Sequence, residues 1–133
     1  MEHQVQHQEM IAKLHATDHR SAQEAVQFFV AHRMPAPLIE RLKVGGNDVR
    51  VAAVKGLAAI GDKSALPAIA DLLEAERHPV RGSEQATMHK ILKETALLTA
   101  SHLAGETLDV KDVNDEEQIL AAVRRIRAKH RPA

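Results

Sequence analysis

The chain is 133 residues long, 44% hydrophobic and 27% charged, and its 18 lysines and arginines balance its 18 aspartates and glutamates. That balance removes any general electrostatic steering toward nucleic acid or an anionic membrane. The absence of cysteine excludes disulfides, thiolate nucleophiles and cysteine metal sites. Phe28 and Phe29 are the only aromatics, so the core must be aliphatic, which suits packed helices better than a β-sandwich. The polar start, Met1 to Glu9, lacks the apolar segment of a secretory signal. No run approaches the ~20 apolar residues of a membrane span. The expectation is one cytoplasmic domain over residues 1–133 with no membrane association.

The apolar spacing predicts helices almost throughout. The first covers residues 4–16, with Met10, Ile11 and Leu14 on one stripe. Thr17 or Asp18 caps the second, whose stripe is Ala22, Ala25, Val26 and Phe29 and which ends at Met34-Pro35. Pro37 suits the first turn of a short third helix to about Val44, stopped by Gly45-Gly46. Asn47 or Asp48 starts the fourth, 48–60, with Val49, Ala52, Ala53, Gly56, Leu57 and Ile60 inward and Gly61 at its C′ position. Ser64 caps a fifth helix to about Arg77, with Pro67 in its first turn. Residues 81–104 read as one long helix whose apolar stripe is Met88, Ile91, Leu92, Thr95, Leu98 and Leu103, with Leu97 turned away from it. Gly105 closes it, 107–113 is a linker, and Asn114 or Asp115 caps a last helix to about Lys129. Gly56 stands inside a helix, where glycine costs about 1 kcal/mol relative to alanine. Close approach of a neighbouring helix is the reason expected for it.

Segments recur about thirty residues apart. Pro37-Leu38-Ile39 and Leu42 match Pro67-Ala68-Ile69 and Leu72, and Val49-Arg50 matches Val80-Arg81. A period in this range signals stacked helical pairs, each too small to bury its apolar face alone. Within 48–73, the run Asp48-Val49-Arg50, Ala52-Ala53, Gly56-Leu57, Ile60-Gly61-Asp62 and Ala65-Leu66-Pro67-Ala68-Ile69 resembles a HEAT-like repeat, in the short variant of the phycobilin lyase type. The resemblance is weaker over 20–92. It implies an all-α fold, a short right-handed α-solenoid of about three HEAT-like helical pairs, with core repeats over about 18–92 and an atypical C-terminal cap over about 93–130. It also implies that 20–32, 48–60 and 82–92 line the concave side. Asp48, Arg50, Asp62 and Arg81 match the positions that tie neighbouring repeats together.

Candidate sites are few. His3 and His7, and His15 and His19, are four apart, a spacing that suits zinc, but no third ligand accompanies them, and the reading is solvated histidines with no metal. The His-Glu dipeptides of metal-binding HEAT-like hydroxylases are missing. Asp115, Glu116 and Glu117 open the last helix and Arg124, Arg125, Arg127, Lys129 and Arg131 close it, an arrangement that balances the helix dipole. A nucleic-acid patch there is the weaker reading, since no aromatics accompany it.

The better lead is apolar. Phe28, Val51 and Val54 would lie on the concave side, with Gln27, Lys55 and Gln85 beside them, and an apolar patch with a polar rim marks an interaction surface. The functional expectation is a non-enzymatic adaptor that holds a protein or peptide there and needs no cofactor. One alternative is a lyase-like or chaperone-like protein for a bilin chromophore or its carrier subunit. Another is nucleic-acid binding through the basic C-terminal helix. Pairing of the 81–104 helix with its own copy, giving a homodimer, is a further expectation.

Overall fold

A computed structural model describes residues 2–14, 19–43, 46–79 and 83–129, and of residues 2–7, 19 and 83–85 the backbone alone. All its regular elements are helical: α1 (Glu2–Leu14), α2 (His19–Ala31), α3 (Pro35–Arg41), α4 (Asn47–Ile60), α5 (Leu66–Ala75), α6 (Ser83–Ala104) and α7 (Glu116–Lys129), with a 3-10 turn at Lys63–Ala65. The fold is all-α and built on helical repeats.

The helix ends follow local chemistry. Arg33 takes a left-handed conformation (φ 52°) after α2, and the Met34 N–H returns to the Phe29 carbonyl at 2.9 Å, the wrapped ending usual for helices that stop at glycine. Pro35 opens α3 after the extended N-cap residue Met34, and Pro37 falls in its first turn as expected, where a proline forfeits no helical hydrogen bond. Asn47 starts α4, as expected, with Gly46 as its N-cap residue, and Gly61 (φ 76°) closes it. Asp62 is the cap that the sequence reading placed at Ser64: its carboxylate accepts the Ser64 N–H at 2.9 Å and starts the 3-10 turn ahead of α5. Asp115 caps α7, accepting the N–H groups of Glu117 and Gln118 at 3.0 and 3.3 Å.

Successive helices pair as α1 with α2, α3 with α4, and α5 with α6, while α2, α4 and α6 pack side by side as one layer. Close approach is greatest at Gly56. A Cβ there would lie 3.0 Å from Leu38 Cδ1 on α3, 3.0 Å from Val26 Cγ1 and 3.1 Å from Val30 Cγ2 on α2. Glycine is therefore what lets three helices meet at this point. A continuous core runs from Leu14 and Phe29 through Leu38, Leu57, Leu66 and Leu73 to Ile119 and Ile126.

The last helix leaves the repeat pattern. A further repeat would send α7 parallel to α5. Instead the α7 start lies beside the α5–α6 turn, where Glu116 pairs with His78, and its end lies beside the end of α6, where Arg125 and Lys129 pair with Glu106. Helix α7 thus runs along α6 and antiparallel to α5, on which it packs. The segment 107–113 makes this reversal by returning along α6. Arg127 fastens the cap, with Nη1 and Nη2 donating to Glu74 at 2.9 and 3.2 Å and Nη2 to Asp71 at 2.7 Å. Those bonds hold the Glu74 carboxyl below its usual range and raise Arg127 above its own.

Candidate functional site

The stacking of helices decides which faces can meet a partner. Helix α4 is enclosed by α2, α3 and α6. Val51 and Val54, expected on a concave surface, are 7% and 0% exposed and belong to the core. They lie on the opposite side of α4 from Gly56, which faces α2 and α3, so the helix they meet is α6. The open stripe of α4 is Asp48, Ala52, Lys55 and Ala59, spaced four, three and four residues apart. Ala52, expected inward, is only half-buried there. Lys55 and Gln27 are exposed, but that layer offers them no large apolar neighbour on α4. Phe28 is half-buried and already partnered: it meets Phe29 edge-on at 5.4 Å and His32 at 4.3 Å between ring centroids.

One side chain expected on the concave face, one arginine expected at an inter-repeat position and two pairs of histidines fall outside what the structure describes. The Gln85 side chain, Arg81, and the His3/His7 and His15/His19 pairs lie outside the described residues or side chains.

Of the residues matched to inter-repeat positions, Arg50 makes the long connection. Its Nη1 donates to Glu76 Oε1 at 3.0 Å, and its Nη2 bonds Asn47 Oδ1. Glu76 Oε2 in turn bonds His89 Nε2 at 2.9 Å. One carboxylate at the end of α5 thereby ties α4 to α6. Burial alone would push the Glu76 carboxyl up, but the bonds from Arg50 and His89 outweigh it and hold the group below its usual range. Asp62 serves the 3-10 turn and is exposed, as is Asp48. Elsewhere Arg41 is buried and its Nε donates to the Leu14 carbonyl at 3.0 Å. Burial first, then the charge of Arg50, lowers Arg41 from its ordinary value.

Glu76, His89 and Lys93 were invisible to pattern reading, because two of them are polar positions on the buried side of α6. His89 is 3% exposed and Lys93 1%. The Lys93 ammonium donates to Asn114 Oδ1 at 3.4 Å, a long bond, and desolvation lowers its pKa against the pull of Asp112, Glu76 and Glu116. A buried charge with so poor a partner is a net cost. Lys93→Met is expected to stabilise the fold by about 1 kcal/mol at pH 7, since Asn114 is exposed and can turn to water. The lowered folded-state pKa means that this cost is full below that value and fades as pH climbs toward the unfolded pKa. The gain from Lys93→Met in urea melts should therefore shrink between pH 7 and pH 10.

The cost of seating His89 and Lys93 inside is paid in apolar exposure outside. Ile91 and Leu98, expected on the buried stripe of α6, are 38% and 73% exposed, whereas Leu97, expected off the stripe, is 8% exposed. Packing on both α4 and α5 rotates the buried face of α6 toward Leu92, Lys93, Ala96 and Ala100, and the 107–113 segment covers Leu97. Between α6 and that segment lies an open cleft of about 570 Å³. Leu97 and Leu98 supply the apolar part of its α6 wall and Leu108, Val110 and Val113 that of the facing segment, while Lys90, Glu94, Asp109, Lys111 and Asp112 supply its charged part. Asp109 stands in its wall in a left-handed conformation, φ 54°. The cleft joins an exposed leucine to the main chain of residues 107–110, which bonds to no other described residue.

The basic end of α7 is on the surface, and Arg124 there is exposed. Arg125, Arg127 and Lys129 all pair with carboxylates of the protein, and Arg131 lies outside the described residues.

Residues 49–75 match the family model of the PBS lyase HEAT-like repeat. This stretch of the chain is a HEAT-like repeat. The matched stretch takes in α4, the 3-10 turn and α5, the part of the HEAT-like repeat that carries Gly56, Arg50 and the Asp62 cap. No curated protein and no solved structure matches the chain. The match also corrects the expectation of a non-enzymatic chain: the HEAT-like repeat it carries is that of PBS lyases, which points toward lyase-associated function. No helix among the described residues is long and apolar enough to cross a membrane.

Proposed function

We propose that this HEAT-like repeat protein is a partner-docking module within a lyase-associated process, and that it holds its protein partner on the outer flank of α6. The layer of α2 and α4 is the less suited surface, because its apolar anchors are spent in the core. The observation that carries the reading is Leu98, a leucine 73% exposed at the rim of a cleft. Covering it recovers about 25 cal/mol per Å² of apolar surface, and Ile91, two turns earlier on the same face, extends the patch.

A photo-cross-linking side chain placed at position 98, and a control at position 55 on the open stripe of α4, test this in native lysate. One protein recovered in stoichiometric yield from position 98 alone supports the docking surface. Equal capture at both positions overturns it. With the cross-linker moved to position 94 in the wall of the same cleft, Leu98→Asp should abolish the capture and leave the melting temperature within about 2 °C, since exposed substitutions change stability by less than about 0.5 kcal/mol.

A bilin is the second reading, favoured by the PBS lyase repeat match and by the cleft volume, about 570 Å³, which lies within the range of small-molecule sites. Titration with biliverdin decides it. A saturable red shift lost in Leu98→Asp would favour the chromophore over the protein partner.

A further inference from the structure

The docking reading leaves open what form of partner the cleft accepts, and the wall opposite α6 bears on that. Residues Thr107–Val110 have no regular secondary structure, and no hydrogen bond joins their backbone N–H and C=O groups to another described residue. The contrast with the next residues is sharp. The N–H groups of Lys111 and Asp112 both donate to Gln118 Oε1, at 2.8 and 3.1 Å, and the Asn114 N–H donates to Asp112 Oδ1 at 2.9 Å. The segment is nonetheless anchored, with Leu108 and Val113 5% and 8% exposed. A held main chain with unmade hydrogen bonds is a template for another main chain.

We propose that the cleft takes a short extended peptide segment, whose main chain bonds to Thr107–Val110 while one apolar side chain packs on Leu97 and Leu98. This rests on the docking reading and specifies the partner's conformation. A partner helix is the poorer fit, since its backbone groups are spent within itself and it would leave those of Thr107–Val110 to water. Charge contributes little selectivity: Lys90 sits 3.9 Å from Glu94, and the opposite wall carries both signs in Asp109, Lys111 and Asp112. Asp109, at φ 54°, breaks the regular alternation of a strand and limits the pairing to two or three residues. That limit keeps the edge from templating open-ended association of copies.

The test uses the whole chain and a displayed library of random octapeptides, selected on the wild type and counter-selected on Leu98→Asp. The selected peptide is then synthesised with single N-methyl groups along its backbone. The expected result is a peptide with one large apolar residue, at least tenfold weaker binding when one particular backbone nitrogen is methylated, and at least tenfold slower hydrogen exchange at the amides of residues 108–110 in the complex. Binding that survives every N-methyl substitution, or exchange at 108–110 that does not change, overturns the inference. Enrichment of the same peptides on Leu98→Asp also overturns it. If cross-linking from position 98 still captures a partner, the docking reading stands and only the extended-backbone mode falls; if that capture fails as well, both fall.

Discussion

Replacing Glu76 with alanine is expected to remove about 3 kcal/mol of stability, among the largest losses open to a single polar substitution in this chain. The carboxylate is the shared acceptor of Arg50 at 3.0 Å and His89 at 2.9 Å, and the side chains of those donors are only 12% and 4% exposed. Without it, the imidazole loses its acceptor and the guanidinium keeps only Asn47 Oδ1, both desolvated between α4 and α6. The loss is thus mostly the penalty on what remains, more than the worth of the bonds themselves. Glu76→Gln keeps the shape and part of the bonding and should cost less than half as much.

The pH dependence has a definite sign. The folded-state pKa of Glu76 is depressed, so its contribution is complete above the unfolded carboxyl value, about 4.3, and disappears as pH falls through the folded-state value. Urea melts of wild type and Glu76→Gln should differ at pH 7 and converge below about pH 4. A difference that persists undiminished at pH 3 would remove the carboxylate's charge from the account.

Gly56→Leu carries the other large effect, a loss of about 3 kcal/mol or more. The first added carbon already falls 3.0 Å from Leu38 Cδ1 and Val26 Cγ1, and three further carbons have to enter the same junction of α2, α3 and α4. Overpacking of this kind costs about 1–3 kcal/mol even where neighbours can shift. Here the contacts come from three side chains on two helices, so movement away from one helix tightens the other. Alanine adds the first carbon alone and gains about 1 kcal/mol of helix propensity, so Gly56→Ala should lose far less. A Gly56→Leu protein that melts with the wild type would mean that α4 is not pressed against α2 and α3.

Both effects bear on how much the sequence reveals. Gly56 could be read directly: a glycine in the interior of an otherwise good helix needs a neighbour, and the repeat pattern says that one exists. The same holds for Gly61 and Gly105, whose φ values of 76° and 71° follow from their place just past an apolar run. Glu76 could not be read. Its partners lie 26 residues before it and 13 after it, and nothing local marks it out.

The face assignments divide in the same way. On α2, Ala22, Ala25, Val26 and Phe29 are all buried as their spacing suggests, because α2 has a strong apolar side and only one way to cover it. On α6 the apolar residues are scattered round the helix, so spacing could not say which would be inside. Contact with α4 and α5 chose the arc that carries His89 and Lys93 and left Leu98 in solvent. Val51 and Val54 are the converse case: their unusual apolar character was noticed, but α6, not a partner, covers them.

What the amino-acid sequence determined alone is the set of helices, most of their ends and the helical-repeat character, since caps, prolines, glycines and 3.6-residue spacing act within a few residues of where they stand. The tertiary structure alone decided the reversed course of α7, the buried Arg50–Glu76–His89 link and the cleft beside Leu98. Periodicity sets the angles between side chains on one helix, but which arc is buried depends on where the other helices come to rest.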